Sequence, residues 1–174
     1  MPKFYFRYGT VCSGKSLNLL AVYHSYKESG RTPHLIKPKV DTRTPGMIHS
    51  RSGLEVKADQ EVSPTENIHI PTVDVVLVDE IQFFTEEQIL QLEAVSQQVP
   101  VIAYGLRTDF QKRLFPSIAT LLAVCDEMTE LKTVCRKCSH KALFNQKIGS
   151  SSSPVDPGYH YIPVCRRCYV NTPQ

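Results

Sequence analysis

No stretch of this chain approaches the roughly 18 consecutive apolar residues a membrane-spanning helix needs, which argues against insertion in a bilayer and predicts no membrane partner. No block of like charge interrupts it either. Its 20 Lys and Arg stand among 17 Asp and Glu for a net charge of +3, so neither a polybasic arm nor an acidic tail points to nucleic acid as a partner. The opening MPKFYFRYGT passes from a short aromatic run into a glycine motif with no room for a charged leader, an apolar segment and a cleavage site; a cytoplasmic protein is expected. Internal repeats are absent apart from two cysteine pairs, and so is the N-K-x-D sequence of guanine-specific GTPases. With 174 residues there is little room for the lobes of a motor ATPase. Hydrophobic residues at 41% and charged residues at 21% exclude a disordered composition and predict one main folded domain with at most a small appendage.

What is present alternates between strand and helix. FYFRY, Phe4 to Tyr8, reads as a short strand that delivers the chain into GTVCSGKS, and SLNLLAVYHSYKES then carries apolar residues at helical spacing as far as Gly30. A second short strand is expected at Pro33 to Ile36. KPKVDTRTPGMIHSRSGLEV lacks a sustained period and reads as loop with local turns, mobile near Pro45 and Gly46. VDVVLV, Val73 to Val78, is a continuous β-branched run suited to a central parallel strand buried on both faces. TEEQILQLEAVSQQ opens with a Thr85 cap, places acids in its first turn and spaces Ile89, Leu92 and Val95 along one helical face. VPVIAYG supplies another strand. FQKRLFPSIATLLAVC predicts a further helix, interrupted or offset at Pro116, before DEMTELKTVC returns to strand-like character. This order predicts an α/β fold of the P-loop NTPase kind, a parallel sheet with helices and with ligands at the carboxyl ends of its strands.

Gly9, Gly14, Lys15 and Ser16 complete the pattern G-x-x-x-x-G-K-[ST]. A loop of this kind turns backbone N–H groups toward phosphate oxygens at the positive end of the following helix. The residues Gly9, Thr10, Val11, Cys12, Ser13, Gly14, Lys15 and Ser16 are therefore expected to bind the phosphates of ATP. Lys15 would reach the β and γ phosphates and the Ser16 hydroxyl would complete a Mg²⁺ shell. Asp79, at the end of the apolar strand, takes the place of a second magnesium-holding acid, with Glu80 beside it facing an acceptor. A small-molecule kinase and a regulatory ATPase both remain open on these residues.

Cys135, Cys138, Cys165 and Cys168 form two C-x-x-C pairs. In a chain read as cytoplasmic, such pairs favour a closed structural Zn²⁺ site over a disulfide framework or redox chemistry. Cys12 and Cys125 stand alone and are expected to be small buried residues. Two units follow from this change of text: residues 1–133 as a nucleotide-binding domain and residues 134–174 as a small zinc-bound lobe.

GTVCSGKS, DTR, VDEIQFF, GLRTDF, CRKC and CRRCY occur in that order from about Tyr5 to Tyr169, and together they make the chain resemble the tetrameric, zinc-containing thymidine kinases. The resemblance implies transfer of the γ-phosphoryl group of ATP to the 5′-hydroxyl of thymidine or deoxyuridine (EC 2.7.1.21), with Glu80 as general base. It places Asp41 and Arg43 of DTR, and Gln82, around the phosphates and metal, and makes Val11, Phe83, Leu106, Phe110 and Tyr161 the thymine pocket. It further implies a lasso loop at roughly Ile148 to Val164 that covers the base, a homotetramer, and inhibition by dTTP. Asp109 of GLRTDF is read as a loop organiser. Val11 stands where the family usually has methionine, and VDPGYHY stands where an I-G-G sequence is usual.

Overall fold

Phe4–Tyr8 (β1) alternates its side chains across a sheet: Phe4 and Phe6 enter one hydrophobic core, and Tyr5 packs against another. The same two-residue period divides Val75–Val78 (β6) and Val101–Gly105 (β7), whose alternate residues enter the two cores. Both faces are covered, as expected of the central strands of a parallel sheet. The computed structural model describes residues 1, 3–149 and 160–170.

Lys15–Glu28 (α1) packs Leu19 and Leu20 against Leu35, Leu77 and Tyr104 on one face. Glu86–Ser96 (α2) and Pro116–Val124 (α3) cover the other through Ile89, Leu92, Ile118 and Leu121. Pro33–Pro38 (β2), Gln60–Val62 (β5) and Glu127–Glu130 (β8) complete a six-stranded sheet of order β5-β2-β6-β7-β1-β8. Every pairing in it is parallel. All carboxyl ends therefore lie along one rim, so the loops that leave β1, β2, β6 and β7 meet there. The chain has an α/β fold with a parallel sheet and flanking helices. Among the described residues no helix is long and apolar enough to cross a membrane.

Two local expectations change and a third is narrowed. Of the two alternatives at Pro116 the structure has the offset: the helix begins there, with Pro116 in the first turn of α3 and Phe115 at the cap. The missing N–H of proline costs nothing in that turn, and its fixed φ suits it. The segment expected to be loop contains Met47–His49 (β3) and Glu55–Lys57 (β4), paired antiparallel. Three-residue strands are too short to show a period. Around Gly46, the N–H donates to Glu61 Oε1 at 2.8 Å and the carbonyl accepts from Ala58 N at 2.8 Å, so this turn is tied to neighbouring strands.

Beyond β8, Phe144–Ile148 (β9) and His160–Val164 (β10) form a separate antiparallel pair, followed by Arg166–Val170 (α4). Val164 and Tyr169 bury themselves with Cys135 and Cys165 in a third, smaller cluster.

Candidate active site

The loop leaving β1 wraps into α1 with Gly14 at the helix cap and no side chain supplying that cap. The first N–H groups of α1 are left to an outside partner, and Gly14, Lys15 and Ser16 line a cavity of about 490 Å³. Lys15 Nζ donates to Thr10 O at 2.8 Å and Gly9 O at 3.3 Å, holding its ammonium across the loop. Burial lowers the Lys15 pKa, and the carboxylates of Glu80 and Asp79 oppose that shift.

β6 delivers Asp79 to the same rim. Ser16 Oγ donates to Asp79 Oδ2 at 3.5 Å, so a hydroxyl and a carboxylate oxygen stand side by side, the hard donors Mg²⁺ takes. Burial pushes the Asp79 carboxyl well above the usual range, and the neighbouring charge of Glu80 adds to this. Such a carboxyl gains from a cation partner.

Glu80 is held from two sides. Arg43 Nη2 donates to its Oε1 at 2.7 Å, and Gln82 Nε2 donates to its Oε2. Gln82 is oriented in turn by Leu106 N, which donates to its Oε1 at 3.0 Å. A Cβ at position 105 would lie 2.5 Å from Gln82 Oε1 and 2.7 Å from Ile81 Cγ2, so any larger residue at the end of β7 would push the carboxamide from its place. Arg43 Nε donates to Asp41 Oδ1 at 2.7 Å. Burial alone would raise the Asp41 pKa, yet the guanidinium holds it below the ordinary value. For Arg43 burial acts downward, and the two carboxylates outweigh it and raise its pKa.

Apolar and aromatic side chains border the same cavity: Val11, Phe83, Leu106, Phe110, Phe115 and Tyr161 line it. Phe83 meets Phe115 edge to face at 6.2 Å, and Phe110 lies 6.2 Å from Tyr161. Asp109 organises the loop that carries Phe110, its Oδ1 accepting from Gln111 N at 2.8 Å and Arg113 N at 2.9 Å. Tyr169 Oη donates to Phe110 O at 2.7 Å, so α4 reaches the same loop.

Away from the cavity, the four Sγ atoms of Cys135, Cys138, Cys165 and Cys168 lie within 4.8 Å of one another. Cys138 Sγ is 3.5 Å from Cys165 Sγ and 3.7 Å from Cys168 Sγ. A tetrahedron with metal–sulfur bonds of about 2.3 Å has edges of about 3.8 Å. The four thiols fit one metal ion.

A family model described as thymidine kinase matches residues 2–169. The chain belongs to the thymidine kinase family.

The thymidine kinase of Listeria monocytogenes serotype 4b is 36% identical over 189 aligned positions, which cover 99% of this chain and 99% of the relative. That of Legionella pneumophila strain Lens is 39% identical, over 97% of this chain and 90% of its own. The thymidine kinase of Ruegeria pomeroyi is 39% identical, over 96% and 93%.

Within this family member, the structure gathers Lys15, Ser16, Asp41, Arg43, Asp79, Glu80 and Gln82 around the same cavity as Val11, Phe83, Leu106, Phe110 and Tyr161. Gly9 and Thr10 supply the carbonyls beneath Lys15. Ser13 donates its N–H to Thr10 O at 3.3 Å inside the loop. Cys12 departs from expectation: it lines the cavity instead of a core, at φ 63°, with Arg51 Nη1 donating to its Sγ at 2.6 Å. Cys125 is half-buried after α3. Residues 150–159 of the expected lasso, with the serine run and most of VDPGYHY, lie outside the described residues.

Sequence reasoning missed Arg51, Phe115 and Asn145. Asn145 is buried on β9, and its Oδ1 accepts from Val11 N at 2.8 Å, joining residues 134 positions apart. No local pattern announces such a pair. Arg51 sits on the β3–β4 turn, and the three-residue strands of that hairpin show no period that would have announced it.

Proposed function

We propose that this chain is a thymidine kinase in activity as well as in descent, transferring the γ-phosphoryl group of ATP to the 5′-hydroxyl of thymidine or deoxyuridine. One observation carries the reading. Glu80, the loop residues Gly14, Lys15 and Ser16, and the aromatic residues Phe83, Phe110 and Tyr161 all line a single cavity, so a carboxylate shares one space with donors for anionic oxygens and with flat apolar surface for a base. Family membership supports the same acceptor.

Lys15 and the first N–H groups of α1 hold the phosphates of ATP, and Ser16 and Asp79, with Asp41 nearby, would hold Mg²⁺. When bound, magnesium would neutralise charge on the phosphate oxygens. Glu80 accepts the proton of the attacking hydroxyl, with Gln82 keeping the carboxylate aimed. Arg43 faces the charge that spreads over the transferred group. Phe83, Phe110 and Tyr161 sandwich or border the pyrimidine, and Val11 and Leu106 border its methyl group. Residues 134–174 act as a lobe in which Zn²⁺ on the four cysteines would hold β9, β10 and α4 together, apart from a nucleotide-binding unit of residues 1–133. A cytoplasmic homotetramer inhibited by dTTP belongs to the same proposal and rests on family membership.

A regulatory ATPase would share the phosphate loop but has no use for an aromatic wall beside Glu80. The deciding assay follows monophosphate formation from ATP and Mg²⁺ with thymidine, deoxyuridine, deoxycytidine and deoxyguanosine, and ADP release without nucleoside. Thymidine and deoxyuridine should give product, and Glu80→Gln should lower kcat on the order of 100-fold or more. ADP release with no monophosphate from any acceptor would replace the kinase by the ATPase.

A further inference from the structure

We infer that Lys37 is a positioning residue for phosphoryl transfer: its ammonium anchors both flanks of Arg43 and so sets where that guanidinium stands. Lys37 lies near the end of β2 and is 1% exposed. A lysine is almost never buried so fully without partners, and three N–H donors need oxygen acceptors. Its Nζ donates to Thr44 O at 2.6 Å and Met47 O at 3.0 Å, lies 3.4 Å from Thr44 Oγ1, and pairs with Asp41 Oδ2 at 3.7 Å.

These partners bracket one residue. Asp41 precedes Arg43 by two positions and Thr44 follows it by one. Thr44 to Met47 is a turn in which Met47 N donates to Thr44 O at 3.1 Å, with Pro45 second and Gly46 third at φ 68°. That is the pattern of a type II turn. One ammonium thus gathers the carbonyls at both ends of the turn and the carboxylate on the other side of Arg43. Asp41 is shared: one oxygen faces Lys37 and the other accepts from Arg43 Nε. From there the contacts run through Arg43 to Glu80. Arg43 itself is about half exposed, at 49%, whereas Lys37 is buried.

This inference rests on the reading of Arg43 and Glu80 as catalytic groups, and a double-mutant cycle separates the two. The kcat and both KM values would be measured at saturating MgATP and thymidine for Lys37→Met, Arg43→Ala and the double variant. Arg43→Ala should lower kcat on the order of 100-fold. Lys37→Met should lower kcat roughly 10-fold or more, with little added loss in the double variant, because Lys37 acts through Arg43. A role confined to general stability predicts instead that the two losses multiply. Multiplied losses, or an unchanged kcat in Lys37→Met beside an impaired Arg43→Ala, would overturn the role of Lys37 and leave Arg43 standing. An unchanged kcat in Arg43→Ala would overturn the catalytic reading, and the inference with it. Should Lys37→Met not fold, Thr44→Val replaces it, removing the hydroxyl that donates to Met47 O at 2.9 Å. It should lower kcat by about 3-fold alone and not at all in an Arg43→Ala background; equal losses in both backgrounds would refute the inference.

Discussion

A side chain at Gly105 would press on the Gln82 carboxamide and on Ile81, and that carboxamide donates to Glu80 Oε2 while Arg43 donates to Oε1. Single residues at this rim are set by one another in this way. Asp79 shows the electrostatic side. Burial, then the charge of Glu80, raises its native pKa above the unfolded carboxyl value of about 3.9. A raised native pKa means a contribution to stability that is complete below about pH 4 and lost as the pH climbs through the native value. The nucleotide-free protein, with no added Mg²⁺, should therefore melt at lower temperature as the pH rises from about 4 to about 7. Asp79→Asn should flatten that decline, and Mg²⁺ with ATP should reverse part of it in the wild type alone. Identical thermal profiles of wild type and Asp79→Asn across that range would show that Asp79 carries no such burden.

At the scale of elements, β9 acts on a loop that belongs to β1 and α1. Its Asn145 takes the Val11 N–H, so one donor of the glycine loop is committed to a strand from the cysteine-rich segment. Asn145→Ala leaves that N–H without its buried acceptor, a loss of about 1–3 kcal/mol if no water replaces it. The expected result is a several-fold rise in KM for ATP or thymidine with a smaller change in kcat, since the loop is displaced while Glu80 and Arg43 are untouched. Unchanged KM for both substrates would mean that the bond only ties strand to loop. Elements also differ in how plainly the text announces them. Thr85 and Gln88 form a full capping box, each side chain bonded to the other's backbone, as the Thr85 signal suggested for α2. Thr44-Pro45-Gly46 was legible as a turn, since proline and glycine favour the dihedrals a type II turn needs. The β3–β4 hairpin and β5 were not, because three residues cannot display alternation and their pairing comes from partners elsewhere in the chain.

For the whole molecule, the cysteine cluster should stabilise one region. Cys135, Cys165, Val164 and Tyr169 make only a small apolar cluster, too little to order the segment by burial alone. Metal removal by a strong chelator, or Cys165→Ser, should release one zinc per chain and raise hydrogen exchange in β9, β10 and α4. The parallel sheet should keep its protection, because its two cores do not include these residues. Transfer activity should fall at least several-fold, since Tyr169 holds the Phe110 loop and Asn145 holds the glycine loop. Full activity and unaltered exchange after the metal is gone would contradict this arrangement.

The amino-acid order by itself determined the glycine loop ahead of a helix, the central strands, the capped helix and the two cysteine pairs that the fold gathers into one cluster. Each is a local pattern whose cause lies within a few residues: period-2 burial, a glycine turn before a helix, thiols two residues apart. Only the tertiary structure decided that Lys37 reaches Thr44 and Met47, that Arg43 spans Asp41 and Glu80, that Asn145 closes on Val11, and that Phe115 joins the aromatic wall. Those contacts join residues that nothing in the local text relates. Buried donors and acceptors must find partners wherever the fold brings them within about 3 Å, and distance in space at the carboxyl rim of a parallel sheet bears no fixed relation to distance along the chain.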